Sequence, residues 1–247
     1  MKIYKFKNYE LCYPNIGTLQ VQLDTIFNLQ IYKPLHITKS NPYFIDCGAN
    51  IGVSVFYFKH LYPQSEILAF EPEPAIFNLL VKNIETNYLT NITTINSALS
   101  NTGENKTLLS DGNDSSKLLL NDKIAIQTQN NYVDKIVTCD QLSKYLDRQI
   151  DFLKMNIEGA EIFVLKEIGS GINNINETVI EYHYFSHQEQ ELHILLYLLH
   201  ENDFIYSIRH VFRGYDKYLN PFPKQGDNLN PDTRYCILIY ACRKCLL

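Results

Sequence analysis

Residues 43–52, Tyr-Phe-Ile-Asp-Cys-Gly-Ala-Asn-Ile-Gly, constrain this chain more than any other stretch. An apolar run ends in Asp46 and enters a turn carrying Gly48 and Gly52. A helix-like segment follows, and then a second apolar run, Leu68-Ala69-Phe70, ends in Glu71-Pro72. An open α/β sheet builds a nucleoside pocket in this way. The glycines let the backbone approach the ligand closely, and the acid after the second strand can accept both ribose hydroxyls. A glycine pair after an apolar run is also the mark of an ordinary tight βα turn. Glu71 favours the pocket, because an acid at the end of the next strand is an independent requirement.

The glycine spacing bears on which nucleoside is held. A dinucleotide site asks for G-x-G-x-x-G, with a helix N-terminus aimed at pyrophosphate. Here the pattern is D-x-G-x-x-x-G, with no third glycine and with Asp46 directly ahead of the turn. An acid there repels pyrophosphate and suits the cationic amino-acid end of S-adenosylmethionine. Gly48, Asn50 and Gly52 are expected to hold that end beside Asp46, with Glu71 on the ribose and Ser97 near the adenine.

The surrounding pattern alternates strand and helix, as in a parallel sheet. Strands are predicted at 43–47, 66–70, 92–96, 151–156, 178–184, 203–208 and 234–241. Helices are predicted at 52–61, from Pro74 with Phe77, Leu80, Val81 and Ile84 as the buried stripe, at 160–168 and at 188–200. The last two strands, joined without a helix, form an antiparallel hairpin. The expected fold is therefore a single α/β domain over 42–247, with a mostly parallel seven-stranded sheet. Residues 1–41 form an N-terminal extension of a strand or two and a short helix, packed on the core and covering the ligand. Polar turn signals fill 97–131, which reads as a hairpin excursion or lid near the pocket mouth. Residues 213–232, rich in Gly and Pro, read as an irregular loop.

Bulk properties narrow the class. With 22 Lys and Arg against 27 Asp and Glu, the net charge is -5, which argues against broad binding to nucleic acid. No apolar run approaches the ~18 residues of a membrane span, and the start lacks the apolar stretch of a signal peptide. The six cysteines are scattered, as in a reduced cytoplasmic protein. Cys242 and Cys245 form a C-x-x-C with Cys236 nearby, but no second pair completes a zinc site, so free or structural thiols are expected.

Polar residues stand at successive strand exits: Asp46, Glu71, Asn96-Ser97, Asn156 with Glu158, and Glu181 with His183. Ligands of open parallel sheets bind at these ends. Glu181 and His183, two apart on a strand, project to the same side. Glu158 stands in the turn itself and is read as functional. Glu161 falls in the first helical turn, where stabilising the helix dipole is the simpler role.

Five ordered segments together resemble the FkbM family of S-adenosylmethionine-dependent methyltransferases. They are Asp46-Cys47-Gly48-Ala49-Asn50-Ile51-Gly52, Ala69-Phe70-Glu71-Pro72, Ala98-Leu99-Ser100, Lys154-Met155-Asn156-Ile157-Glu158-Gly159-Ala160-Glu161 and Glu181-Tyr182-His183. The likeness covers about residues 43–185. It implies a Rossmann-like class I methyltransferase domain that moves the methyl group of S-adenosylmethionine to an oxygen, releasing S-adenosylhomocysteine. The acceptors it implies are sugars and secondary metabolites; a small-molecule or peptide-type acceptor, and fusion to or association with other biosynthetic enzymes, are expected beside it. The family pattern has Asp where this chain has Asn156, which can still hydrogen-bond substrate or cofactor through its carbonyl.

An alcohol acceptor needs proton removal, and Glu158, His183 or Glu181 could serve as the base. A carboxylate acceptor needs none, and Asn156 in place of Asp would remove a charge near such an anion. No metal is expected; a divalent ion held by Glu158, Glu181 and His183 is the alternative. Three rival readings stand beside it: an S-adenosylmethionine-binding protein without turnover, an NAD-dependent oxidoreductase, and a structural module whose strand-end acids are only caps.

Overall fold

The computed structural model describes residues 2–110, 116–119, 133–185, 189–210 and 234–246. The chain opens with an antiparallel hairpin, β1 (Lys2–Phe6) and β2 (Tyr9–Tyr13), then α1 (Ile16–Leu23) and one turn of π-helix at Asp24–Asn28. Asn15 caps α1, its side chain accepting from the Gly17 and Thr18 amides.

The alternating core follows as β3 (Tyr43–Cys47), α2 (Val53–Leu61), β4 (Glu66–Phe70), α3 (Pro74–Thr86) and β5 (Ile92–Ile95). Proline at the first turn of α3 replaces an amide that would have no helical partner, and Glu73 caps that turn. Next come β6 (Ala98–Leu99), β7 (Lys106–Ser110), β8 (Lys117–Leu118), β9 (Val133–Val137) and β10 (Cys139–Asp140). The series closes with β11 (Ile150–Met155), α4 (Glu161–Ile168), β12 (Ile175–Phe185), α5 (Leu192–Glu201), β13 (Phe204–His210) and β14 (Arg234–Arg243).

Seven strands form the central sheet in the order β13-β14-β12-β11-β3-β4-β5. Every pairing from β12 through β5 is parallel, while β14 runs antiparallel between β12 and β13. This is the Rossmann-like sheet with a terminal antiparallel pair that the sequence pattern predicts. Strand order reverses between β3 and β11, so a crevice opens beyond their carboxyl ends.

Alternation along the strands divides the core in two. Phe44, Ile67 and Ala69 face one side with α2, α3 and the N-terminal segment; Ile45, Cys47, Leu68 and Phe70 face the other with α4 and α5. Leu11, Leu19, Leu23, Ile26, Phe27 and Tyr32 belong to the first of these clusters. The buried Asn83 fastens them further. It donates to the carbonyls of Cys12 and Ile51 and accepts from the Cys12 amide at 2.6 Å.

The excursion after the third core strand is a three-stranded antiparallel sheet, β8-β7-β9, on its described residues. The chain then returns through β10, which pairs parallel with β6, an addition that two-residue strands do not announce in sequence. Helix α5 starts at Leu192, four residues after the predicted start. The irregular loop predicted at 213–232 lies outside the described residues.

Candidate active site

The crevice above the switch in strand order is walled by residues of five central strands or the turns after them, and by other segments packed over these. The turn after β3 contributes Gly48, Ala49 and Asn50, Glu71 follows β4, and Ser97 follows β5. The turn after β11 contributes Asn156, Ile157 and Glu158, and β12 contributes Glu181. The N-terminal segment closes the cavity with Gln22 and Tyr32, and β7 and β8 add Leu108 and Leu118.

Gly48 has φ +86°, and a Cβ there would stand 1.9 Å from the Asn156 carbonyl oxygen. The β3 and β11 turns therefore touch backbone to backbone, and only glycine allows it. Gly52, also at positive φ, caps α2 outside the cavity wall. Asn50 takes φ +51°, which its short amide side chain tolerates. Glu158 takes φ +55°, an uncommon backbone for a glutamate, in the wall of the crevice.

Glu71 meets the β3 turn directly, accepting from the Asn50 amide at 2.8 Å and from the Glu73 amide at 2.9 Å. Burial pushes its carboxyl up to about 7, although both amides and the Lys154 charge pull the other way. Ser97 is buried, its hydroxyl donating to the Thr138 carbonyl at 3.0 Å.

Asp46 lies beneath the turn rather than in the wall. It is 0% exposed, paired with Lys154 Nζ at 3.0 Å, and accepts from the Ser54 hydroxyl at 2.5 Å. Lys154 also donates to the Gly48 carbonyl at 2.5 Å. This pair joins β3 to β11 under the glycine turn. Its charge is thus spent locally, and the sequence-based expectation that Asp46 faces the amino-acid end of a ligand is not how the side chain stands.

Four predicted residues, Glu181, Asn156, His183 and Glu158, form one cluster. Glu181 Oε2 accepts from the Tyr32 hydroxyl at 2.6 Å and from Asn156 Nδ2 at 3.1 Å. Its Oε1 accepts from Cys236 Sγ at 3.3 Å and lies 3.8 Å from His183 Nε2. His183 Nε2 is also 3.8 Å from Glu158, and its Nδ1 is 3.2 Å from Glu161. Burial opposes a charge on His183, but Glu158, Cys236 and Glu161 together outweigh it and hold the ring's pKa well above its ordinary value. His183 itself is not among the side chains that line the crevice.

Glu161 does more than favour a helix dipole. It is buried, it accepts from the Ile157 and Gly159 amides, and it orients His183. Sequence reasoning gave no site role to Tyr32, Gln22, Lys154 or Cys236. Only Lys154 carried a signal, a lysine inside an otherwise buried strand, where a charge must be paired.

A family model described as "Methyltransferase FkbM domain" matches residues 46–206. The chain belongs to the FkbM methyltransferase domain family. Among curated proteins it is similar to "Methyltransferase 1" of Beauveria bassiana, 31% identical over 167 residues, covering 55% of this chain and 65% of that protein. A shorter match, 50% identical over 48 residues, is to "Methyltransferase sdnD" of Sordaria araneosa, covering 19% and 18% of the two chains. The aligned part is therefore less than two thirds of either relative. Among solved structures it superposes on M. jannaschii TYW2 in complex with AdoMet at a TM-score of 0.46 and 15% identity, over 97% of this chain and 84% of that one. The METTL16 methyltransferase domain gives 0.48 at 15% identity, over 95% and 73%. The family match begins at Asp46 and takes in every predicted site residue of this FkbM-family chain, while Tyr32, Gln22 and Cys236 lie outside it. No helix of the described residues is long and apolar enough to cross a membrane.

Proposed function

We propose that this protein transfers the methyl group of S-adenosylmethionine to an oxygen of a small-molecule, sugar or peptide-type acceptor. The observation that carries this reading is the charge of the crevice. Its described lining holds three carboxylates, Glu71, Glu158 and Glu181, against a single cation, Lys154, which is already paired with Asp46. Such a wall suits a cationic sulfonium ligand and opposes a pyrophosphate, which disfavours NAD. Bound S-adenosylmethionine supplies an activated methyl group, whose C–S bond pair returns to sulfur when an oxygen nucleophile takes the carbon.

The residues that would hold the cofactor are Gly48, Asn50 and Glu71, with Glu71 accepting from ribose hydroxyls. Two amides already occupy the Glu71 carboxylate, and its oxygens retain acceptor capacity for more. Ser97 flanks the base end. Asn156 commits its amide nitrogen to Tyr32 and Glu181, so its carbonyl oxygen is what it offers a ligand. Alignment of acceptor and methyl group is the chief requirement of the reaction.

Glu158 is the base of this reading. It lines the crevice, its backbone is turned into the left-handed region there, and a carboxylate can take the proton of an acceptor hydroxyl. Glu181 and His183 act through position, holding Asn156 and Glu158 in place. The hydrogen bond from Asn156 to Glu181 gives the amide a purpose that does not depend on an anionic acceptor, so a hydroxyl acceptor is the leading case. Association with other biosynthetic enzymes in the cytoplasm remains part of the same reading.

Thermal midpoints with S-adenosylmethionine, S-adenosylhomocysteine and NAD test the cofactor. A ligand at ~100 times its dissociation constant adds about 2.7 kcal/mol of stability. Stabilisation by the first two alone supports the reading, and none with either sulfur nucleoside ends it. Release of S-adenosylhomocysteine with panels of alcohols and carboxylates then separates the two oxygen classes.

A further inference from the structure

Beside the crevice, Glu181, His183 and Cys236 bring one ligand atom each to within 4.8 Å of one another. Glu181 and His183 are buried and Cys236 is partly so. The measured edges are 3.3 Å from Cys236 Sγ to Glu181 Oε1 and 3.8 Å from His183 Nε2 to Glu181 Oε1. Tetrahedral zinc has bonds of about 2.0 to 2.3 Å to O, N and S, which sets ligand-to-ligand edges of roughly 3.3 to 3.8 Å. Both edges that meet at Glu181 Oε1 have that separation, and the third lies within 4.8 Å.

The groups behind them are arranged as supports of a metal site. Glu161 lies against His183 Nδ1 at 3.2 Å, which leaves Nε2 directed at Glu181 and Glu158. A carboxylate on the far nitrogen fixes the ring and raises its basicity as a ligand. Tyr32 and Asn156 both occupy Glu181 Oε2, which leaves Oε1 as the coordinating oxygen. Glu161 Oε2 is buried with no hydrogen-bond partner in the described structure.

The geometry points to a divalent metal site formed by Glu181 Oε1, His183 Nε2 and Cys236 Sγ, with zinc as its ion. A thiolate with imidazole and one carboxylate is a borderline-soft donor set, which suits zinc over magnesium or calcium. Binding releases the Cys236 thiol proton, and any proton on His183 Nε2, to solvent. Three protein ligands leave a fourth position open, as in catalytic rather than structural zinc sites. Glu158 Oε1 lies 3.8 Å from His183 Nε2 and its residue lines the crevice. This part rests on the proposed methyl transfer to a hydroxyl. The acceptor oxygen occupies the open position, its O–H bond breaks with the proton passing to Glu158, and the electron pair stays on the oxygen.

Cobalt(II) titration of the full, chelator-treated chain tests the site, because a thiolate on cobalt gives a near-ultraviolet charge-transfer band. The expected result is a band saturating at one equivalent and displaced by zinc. It should vanish in Cys236→Ser and persist in the Cys242→Ala, Cys245→Ser double variant. Absence of the band, or its loss in the double variant with retention in Cys236→Ser, overturns the site. His183→Gln serves as the second ligand variant, and circular dichroism shows that each variant is folded. S-adenosylhomocysteine stabilisation is read on the same samples. Stabilisation without a cobalt band defeats the metal site alone, whereas a cobalt band without stabilisation defeats the methyltransferase reading and leaves the metal site standing.

Discussion

The amide nitrogen of Asn156 donates to Glu181 Oε2 at 3.1 Å, in a site where Glu158 and Glu161 also stand close to His183. An aspartate in its place would set a second carboxylate against a buried one. Asn156→Asp should therefore lower stability by about 1–3 kcal/mol, more than Asn156→Ala does, since repulsion is added to the lost bond. Denaturant melts of the two variants check the order; an aspartate variant as stable as wild type would mean that Glu181 is screened in solution.

Gly48→Ala should be the most damaging small change in the cavity wall. The new methyl group would meet a backbone oxygen at 1.9 Å, and the residue would keep an unfavourable φ. A loss of more than about 3 kcal/mol, with loss of S-adenosylhomocysteine binding, is expected. Gly52→Ala meets the flexible end of Leu80 at 2.8 Å and should cost less.

Glu71 makes cofactor affinity depend on pH. Its folded pKa, about 7, lies above the ordinary 4.5, so between those values the folded chain holds a proton that the unfolded chain has released. Its contribution to stability is complete below pH 4.5 and is lost as pH rises through about 7. The ionised carboxylate is the better acceptor for ribose hydroxyls. S-adenosylhomocysteine should therefore bind up to roughly tenfold more tightly at pH 8 than at pH 6, measured by calorimetry. Glu71→Gln should bind more weakly and flatten that profile.

Lys154→Met strands Asp46 as a buried charge and should cost about 3–5 kcal/mol. Adding Asp46→Asn should restore a large part of the loss, because the orphaned charge goes with it. Equilibrium unfolding of the single and double variants measures the coupling, and additive effects would show that the two side chains act independently.

The sheet was legible because its strands are short apolar runs punctuated by glycine, proline and acids. Strand β3 has its predicted limits, and helix α3 starts at the predicted Pro74. The strand-exit residues Glu71, Ser97, Asn156 and Glu158 were legible for the same reason, since a sheet of this order gathers its carboxyl ends, whereas Glu181 lies inside β12, which runs on to Phe185. What the sequence hid is contact between distant segments. Nothing near Tyr32 signals that its hydroxyl reaches Glu181, 149 positions away. Cys236 read as one more scattered thiol because its register opposite His183 depends on β14 inserting antiparallel beside β12. Asp46 read as a ligand contact because the partner that neutralises it, Lys154, sits on another strand.

Asn83 ties the amino-terminal hairpin to the glycine turn through one side chain, bonding Cys12 on one side and Ile51 on the other. Opening either segment leaves the other with stranded polar groups, so the two should open as one cooperative unit. Amide hydrogens from Leu11 to Cys12 and those of the Gly48–Gly52 turn would then exchange with solvent at a common rate. Ligand held in the crevice would slow exchange in a hairpin that never touches it.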